Sequence, residues 1–132
     1  MHRNPNRPMA PHLTVYKWGP HMLVSILHRI TGAGLAIVGG AALVWWLWAA
    51  ADGPDSYATF TSWARHWLGV VIGIGLTWAL IQHTLTGLRH FALDIGAGYE
   101  LSTNKKWSLA TLLIGVVLTA ALWAWILRGL WS

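Results

Sequence analysis

Cysteine is absent from this chain and charge is scarce: of 132 residues, 10% are Asp, Glu, Lys or Arg, and only four are acidic. Without thiolates the chain cannot hold an iron–sulfur cluster by the usual cysteine ligation. A water-soluble domain carries about a quarter charged residues, so this one has too few to coat a water-exposed surface. No alternating strand pattern and no internal repeat occurs. A short apolar core with a small-residue cleavage site ahead of the first apolar run is also lacking. That run is therefore expected to remain as a helix rather than to be removed as a signal peptide.

What is abundant is apolar surface. The chain is 55% hydrophobic and contains eleven Trp. Three long apolar stretches run from Met22 to Ala51, Ala64 to Leu88 and Trp107 to Leu130. Each exceeds the roughly 20 residues needed to cross about 30 Å of hydrocarbon. The expected fold is an all-α integral membrane protein with three transmembrane helices, at about residues 22–51, 64–92 and 107–130. Residues 1–20 hold Pro5, Pro8, Pro11 and Pro20, which predicts an extended arm, with Pro20 in the first turn of helix one. Residues 21–132 form the anchor. A short outer loop from Ala51 to Trp63 carries the turn signal Gly53-Pro54-Asp55, and the inner loop from Asp94 to Lys106 has Gly96, Gly98 and Asn104 as breakers. Three helices without paired halves are part of a larger heteromeric helical bundle rather than a complete transporter.

The basic residues set the orientation. Arg3, Arg7, Lys17, Arg29, Arg89, Lys105 and Lys106 fall at one face, against Arg65 and Arg128 at the other. The positive-inside rule places the N-terminus and the second loop in the cytoplasm or an equivalent matrix. The net charge of +5 then reflects topology and not nucleic-acid binding. Trp45, Trp46, Trp48, Trp63, Trp67, Trp123, Trp125 and Trp131 gather toward the opposite face and read as an interfacial belt. Gly32, Ala36 and Gly40 on helix one, and Gly69 and Gly73 on helix two, stand four apart, the spacing that lets helices approach closely in lipid.

Against this background a few polar residues stand out. Ser25, His28, Arg29 and His83 lie just inside apolar helices, where a charge costs roughly 2.5 to 3.5 kcal/mol or more and ionisable residues mark functional sites. On helix two, His83, Gly87, His90 and Asp94 fall within roughly 60° of one another at 3.6 residues per turn. An imidazole with a glycine one turn away suits haem iron, the glycine making room for the porphyrin. Spacing alone equally fits a histidine hydrogen-bonded to a neighbouring helix. On helix one, Ser25 and Arg29 are four apart with His28 beside them. Arg29 at that depth is able to snorkel to the headgroups. Together the three make a donor-rich pocket suited either to haem propionates or to the carbonyl oxygens of a quinone.

Two motifs then carry a resemblance. Arg7-Pro8-Met9-Ala10-Pro11-His12-Leu13, Tyr16 and Ser25-Ile26-Leu27-His28-Arg29-Ile30-Thr31-Gly32 form the first; His83-Thr84-Leu85-Thr86-Gly87-Leu88-Arg89-His90 followed by Asp94 forms the second. In order and in helix position they resemble the cytochrome b membrane-anchor subunit of succinate dehydrogenase, over nearly the whole chain. The arm departs mildly, with Met9-Ala10 where a serine commonly precedes the second proline.

The resemblance implies a subunit of succinate:quinone oxidoreductase, passing electrons from succinate oxidation to quinone. It implies haem b with His83 as one axial ligand and the other ligand from a second small membrane-anchor subunit. Ser25 and Arg29 would line the ubiquinone site, His28 and Arg29 would face the haem propionates, and Asp94 would belong to a proton network. His90, Arg89, His12 and His21 receive no role. Flavin and iron–sulfur clusters would belong to two soluble partners, a flavoprotein and an iron–sulfur subunit, so the isolated chain is not expected to be active. The implied location is a bacterial cytoplasmic membrane or a mitochondrial inner membrane. Two alternatives remain: a fumarate reductase anchor using menaquinone, and a structural anchor without haem.

Overall fold

The computed structural model describes residues 17–131 together with Asn6, Pro8 and His12. The predicted arm falls largely outside these residues. Five α-helical segments follow in order: α1 (Pro20–Gly34), α2 (Gly40–Asp52), α3 (Pro54–Arg65), α4 (Trp67–Asp94) and α5 (Leu101–Trp131). A π-helical turn, Leu35–Gly39, joins α1 to α2, so Pro20–Asp52 is one continuous span. The three long helices are each apolar enough to cross a membrane, and the all-α architecture is as expected.

The helix ends follow from local chemistry. Pro20 sits in the first turn of α1, where its missing N–H leaves no bond unmade, and the Gly19 carbonyl accepts from Met22 N at 3.0 Å. Gly53, at φ 123°, breaks the chain between α2 and α3. The expected outer loop is thus largely helical: α3 occupies Pro54–Arg65. Its residues are too polar for a hydropathy scan to register, yet after Pro54 they contain neither glycine nor a further proline to break a helix. A single extended residue, His66, separates α3 from α4, and its Nδ1 accepts from Leu68 N at 3.4 Å.

At the other end of α4, Gly96 adopts φ 86°. Gly96 N bonds Leu93 O at 2.8 Å and Ala97 N bonds Ala92 O at 3.0 Å, the paired bonds of a Schellman stop. The inner connection is shorter than expected because α5 begins at Leu101, not at Trp107. Hydropathy locates the stretch that crosses hydrocarbon, whereas the helix continues through the polar turn that precedes it.

The three spans pack against one another with α4 touching both α1 and α5. Their interior is polar. Thr31, Gln82, Thr86, Arg89, Ser108 and Thr119 are buried, against only Val24 and Ala49 among the hydrophobic residues described. Leucines, valines, isoleucines and tryptophans point outward instead, as expected where lipid is as apolar as leucine and hydrophobicity does not drive helices together. Small residues admit the neighbouring helix. A Cβ on Gly73 would stand 3.0 Å from the Trp123 ring, and one on Gly115 would stand 2.5 Å from Gln82 Oε1. Gly40 and Ala36 take no such part: Gly40 has open space and Ala36 is exposed. Trp123 departs from the expected belt, since it packs inward on Gly73 and donates to Thr77 Oγ1 at 3.2 Å. Trp45, Trp46, Trp48, Trp63, Trp67 and Trp125 are exposed as the belt requires, and the Trp131 side chain lies outside the described residues.

Candidate functional site

The site forms where the C-terminal half of α1 crosses the C-terminal half of α4. Helical periodicity stacks His28, Thr31 and Gly32 on the α1 face that meets α4, and stacks His83, Gly87 and His90 on the α4 face that meets α1. The imidazoles of His28 and His83 lie face to face, ring centroids 3.8 Å apart and planes only 8° from parallel. His90 approaches His28 at 5.3 Å with a tilt of 57°. Three imidazoles from two helices therefore converge at one level of the bundle.

Hydrogen bonds fix the His83 ring. Its Nδ1 is 3.1 Å from the His28 carbonyl oxygen and 3.1 Å from Thr31 Oγ1. A carbonyl oxygen only accepts, so the proton of His83 resides on Nδ1 and is donated across the interface. The Thr31 hydroxyl directs its own single proton to the carbonyl of Leu27, at 2.8 Å, or of His28, at 3.1 Å. Its lone pair then faces His83 Nδ1. In the neutral imidazole whose proton is on Nδ1, Nε2 keeps its lone pair, and such a ring is a metal donor. A metal-bound histidine characteristically gives its other ring N–H to a carbonyl in this way.

Steric complementarity adds to this. A Cβ on Gly32 would come 2.9 Å from His83 Cε1, so a glycine there is what admits the ring. Gly87 is different: a Cβ would meet His28 Cε1 at 3.9 Å, an ordinary contact, so this chain's own packing does not call for glycine. The stacked faces of His28 and His83 also do not present two nitrogens to one iron between them. Among the described residues no group of three or more His, Cys, Asp or Glu side chains converges on a metal position.

The remaining expected residues surround this centre. Ser25 is half-buried and Arg29 exposed, both on the α1 turns that carry His28. Asp94 is exposed at the last residue of α4, eleven residues beyond His83 and four beyond His90. The histidines are thus brought into contact, whereas the hydrogen bonds of His83 go to Thr31 and the His28 carbonyl and not to Ser25, Arg29 or Asp94.

Comparison with known proteins agrees with this architecture. The model of the succinate dehydrogenase/fumarate reductase transmembrane subunit family matches residues 3–122. The chain belongs to this family. It is 43% identical over 113 residues to the succinate dehydrogenase cytochrome b556 subunit of Paracoccus denitrificans, covering 86% of each chain. Identity to the cytochrome b556 subunit of Rickettsia typhi is 32% over 117 residues, covering 89% of this chain and 90% of the other. The mitochondrial cytochrome b560 subunit of Mus musculus is 31% identical over 122 residues, covering 89% and 70%. The resemblance read from the two motifs is the family the whole chain supports.

Within this family frame, two groups of polar residues went unassigned from the sequence. Gln82, fully buried, donates from Nε2 to Thr86 Oγ1 at 3.1 Å and wedges its Oε1 against Gly115. An amide beside His83 in mid-span is itself conspicuous, and that signal was available. Arg89 is buried at 7% exposure, with Nη2 bonded to Asn104 Oδ1 and Nε without a partner. In sequence it groups with the cationic inner rim, where a helix end and a freely snorkelling guanidinium look alike.

Proposed function

We propose that this chain is the haem-binding membrane anchor of a succinate:quinone oxidoreductase and supplies part of its ubiquinone site. The observation that carries the haem half is the His83 Nδ1–H bond to the His28 carbonyl, which leaves Nε2 free to ligate. Haem b, when bound, supplies a one-electron centre whose potential depends on its axial ligands and their hydrogen bonds. His83 would hold the iron from this chain, and a second small membrane subunit would supply the other ligand, as the family resemblance implies. His28 and Arg29, on adjacent positions of α1, supply donors for the propionates.

The quinone half rests on Ser25 and Arg29. The Ser25 hydroxyl donates a hydrogen bond to one ubiquinone carbonyl oxygen and orients the ring. Arg29 holds a positive charge beside it, stabilising the negative charge that builds as electrons arrive. Electrons come from a docked iron–sulfur subunit, which receives them from succinate oxidation in the flavoprotein. Two electrons and two protons convert ubiquinone to ubiquinol, and Asp94, exposed at the inner end of α4, takes protons from the aqueous side. The N-terminus and the α4–α5 connection face the cytoplasm or matrix. The chain alone, without flavin or iron–sulfur centres, has no succinate chemistry. The family description also covers fumarate reductases, and the relatives named above are all succinate dehydrogenase subunits, which favours the forward reaction over a menaquinone-linked fumarate reductase.

The test is a complex purified through this chain. Its reduced-minus-oxidised spectrum is expected to show b-type bands, which His83→Ala removes or shifts. Arg29→Ala is expected to depress quinone reduction by roughly 10²-fold or more, the scale of losing one preorganised charge-stabilising donor, with succinate oxidation by an artificial soluble acceptor retained. Absence of b-type bands sinks the haem assignment, and full quinone reductase activity in Arg29→Ala sinks the site assignment.

A further inference from the structure

We infer that Thr31 is a positioning residue that sets the donor strength of His83, an inference resting on the haem reading above. Thr31 is 3% exposed, and its hydroxyl touches three polar atoms. Bonds to Leu27 O at 2.8 Å and His28 O at 3.1 Å are what a mid-helix threonine makes by default with the preceding turn. The third contact is not of that kind. It crosses from α1 to α4 and reaches His83 Nδ1 at 3.1 Å.

The chemistry follows from counting protons and lone pairs. The hydroxyl has one proton, directed to a carbonyl of its own helix, and so acts toward His83 as an acceptor. The His28 carbonyl is the second acceptor for the same N–H, but as the i−4 carbonyl of Gly32 in a helix it is already in use. Thr31 therefore completes a two-oxygen cradle around Nδ1–H, while Gly32 confines the ring from the adjoining position. Two acceptors on Nδ1–H draw the proton away from the ring and raise the basicity of Nε2. A more basic ligand favours ferric over ferrous iron, so this cradle holds the haem potential down.

The experiment uses the whole purified complex carrying Thr31→Val, which keeps the shape and loses the hydroxyl, and Thr31→Ser, which keeps the hydroxyl. Haem per complex is measured from the spectrum, and the midpoint potential by redox titration. Thr31→Val is expected to weaken haem retention roughly 10- to 100-fold, the usual scale for losing such a partner. It should also raise the potential by about 59 mV, a tenfold change in ferric-to-ferrous preference for a one-electron couple. Thr31→Ser should restore both. A wild-type potential in Thr31→Val, or an equal shift in Thr31→Ser, overturns the inference. Thr31→Ala carries the same expectations if Thr31→Val does not assemble, and failure of both to assemble would make Thr31 a packing residue and the inference wrong. A wild-type complex without b-type bands fails the haem reading itself. Bands lost in His83→Ala but unmoved in Thr31→Val fail only the role of Thr31.

Discussion

Two glycines flank the histidine pair, and they differ in what they spare. At Gly32 any side chain meets the His83 ring, with a Cβ at 2.9 Å from Cε1. Interiors packed this closely answer such overlap by displacing the ring or the helix, at about 1–3 kcal/mol. Gly32→Leu is therefore expected to abolish the b-type spectrum by moving His83, and to weaken assembly as well. At Gly87 a Cβ meets nothing nearer than 3.9 Å. Gly87→Ala is expected to leave subunit assembly intact and to diminish haem content only, if the gap serves the porphyrin. Haem content and subunit stoichiometry of the purified complexes check both outcomes. At this scale Ser25, His28, Arg29 and His83 were conspicuous in the sequence because ionisable or polar groups stand out in apolar runs, and the contact of His28 with His83 is what the structure adds. Thr31 was not conspicuous, because its contact with His83 spans 52 residues and exists only once two helices have met.

Among the elements, the spans were easier to read than their ends. A run of twenty apolar residues is a direct physical requirement of the bilayer, so three helices followed from hydropathy. The ends obey different chemistry. The α4 stop at Gly96 was signalled by its glycines, whereas α3 and the first turn of α5 are polar helices that no hydropathy scan marks. Contacts between α4 and α5 were also hidden, since Gln82, Gly115, Thr77 and Trp123 pair across distances in sequence that no periodicity encodes. Interhelical hydrogen bonds in membranes contribute on average only about 0.6 kcal/mol, which leaves close packing as the larger constraint here. Gly115→Val places carbon where Gln82 Oε1 now lies, with a Cβ at 2.5 Å. It should lower the thermal midpoint of the detergent-solubilised complex, by an amount corresponding to about 1–3 kcal/mol of overpacking. An unchanged midpoint would mean that Gln82 swings aside without cost.

For the molecule as a whole, the polar interior and apolar exterior suit only a lipid solvent, and the charge distribution then decides which way the bundle faces. Lys105 and Lys106 lie in the first turns of α5, near Arg89 at the end of α4. Across the membrane, α3 carries Asp55 and a single arginine, Arg65. By the positive-inside rule, the excess of Lys and Arg at one face would retain that face on the cytoplasmic side during insertion. The natural absence of cysteine makes this directly measurable, because one introduced thiol is the only label site in the chain. Thr59, exposed on α3, and Ser102, exposed at the start of α5, mark opposite faces. In a bacterial host, Thr59→Cys is expected to react with a membrane-impermeant maleimide from the periplasmic side of intact cells. Ser102→Cys should react only in inverted vesicles stripped of soluble subunits. The reverse pattern would place the proposed quinone-binding end, and the proposed docking face for the iron–sulfur subunit, on the wrong side of the membrane, and the orientation argued from the basic residues would fall with it.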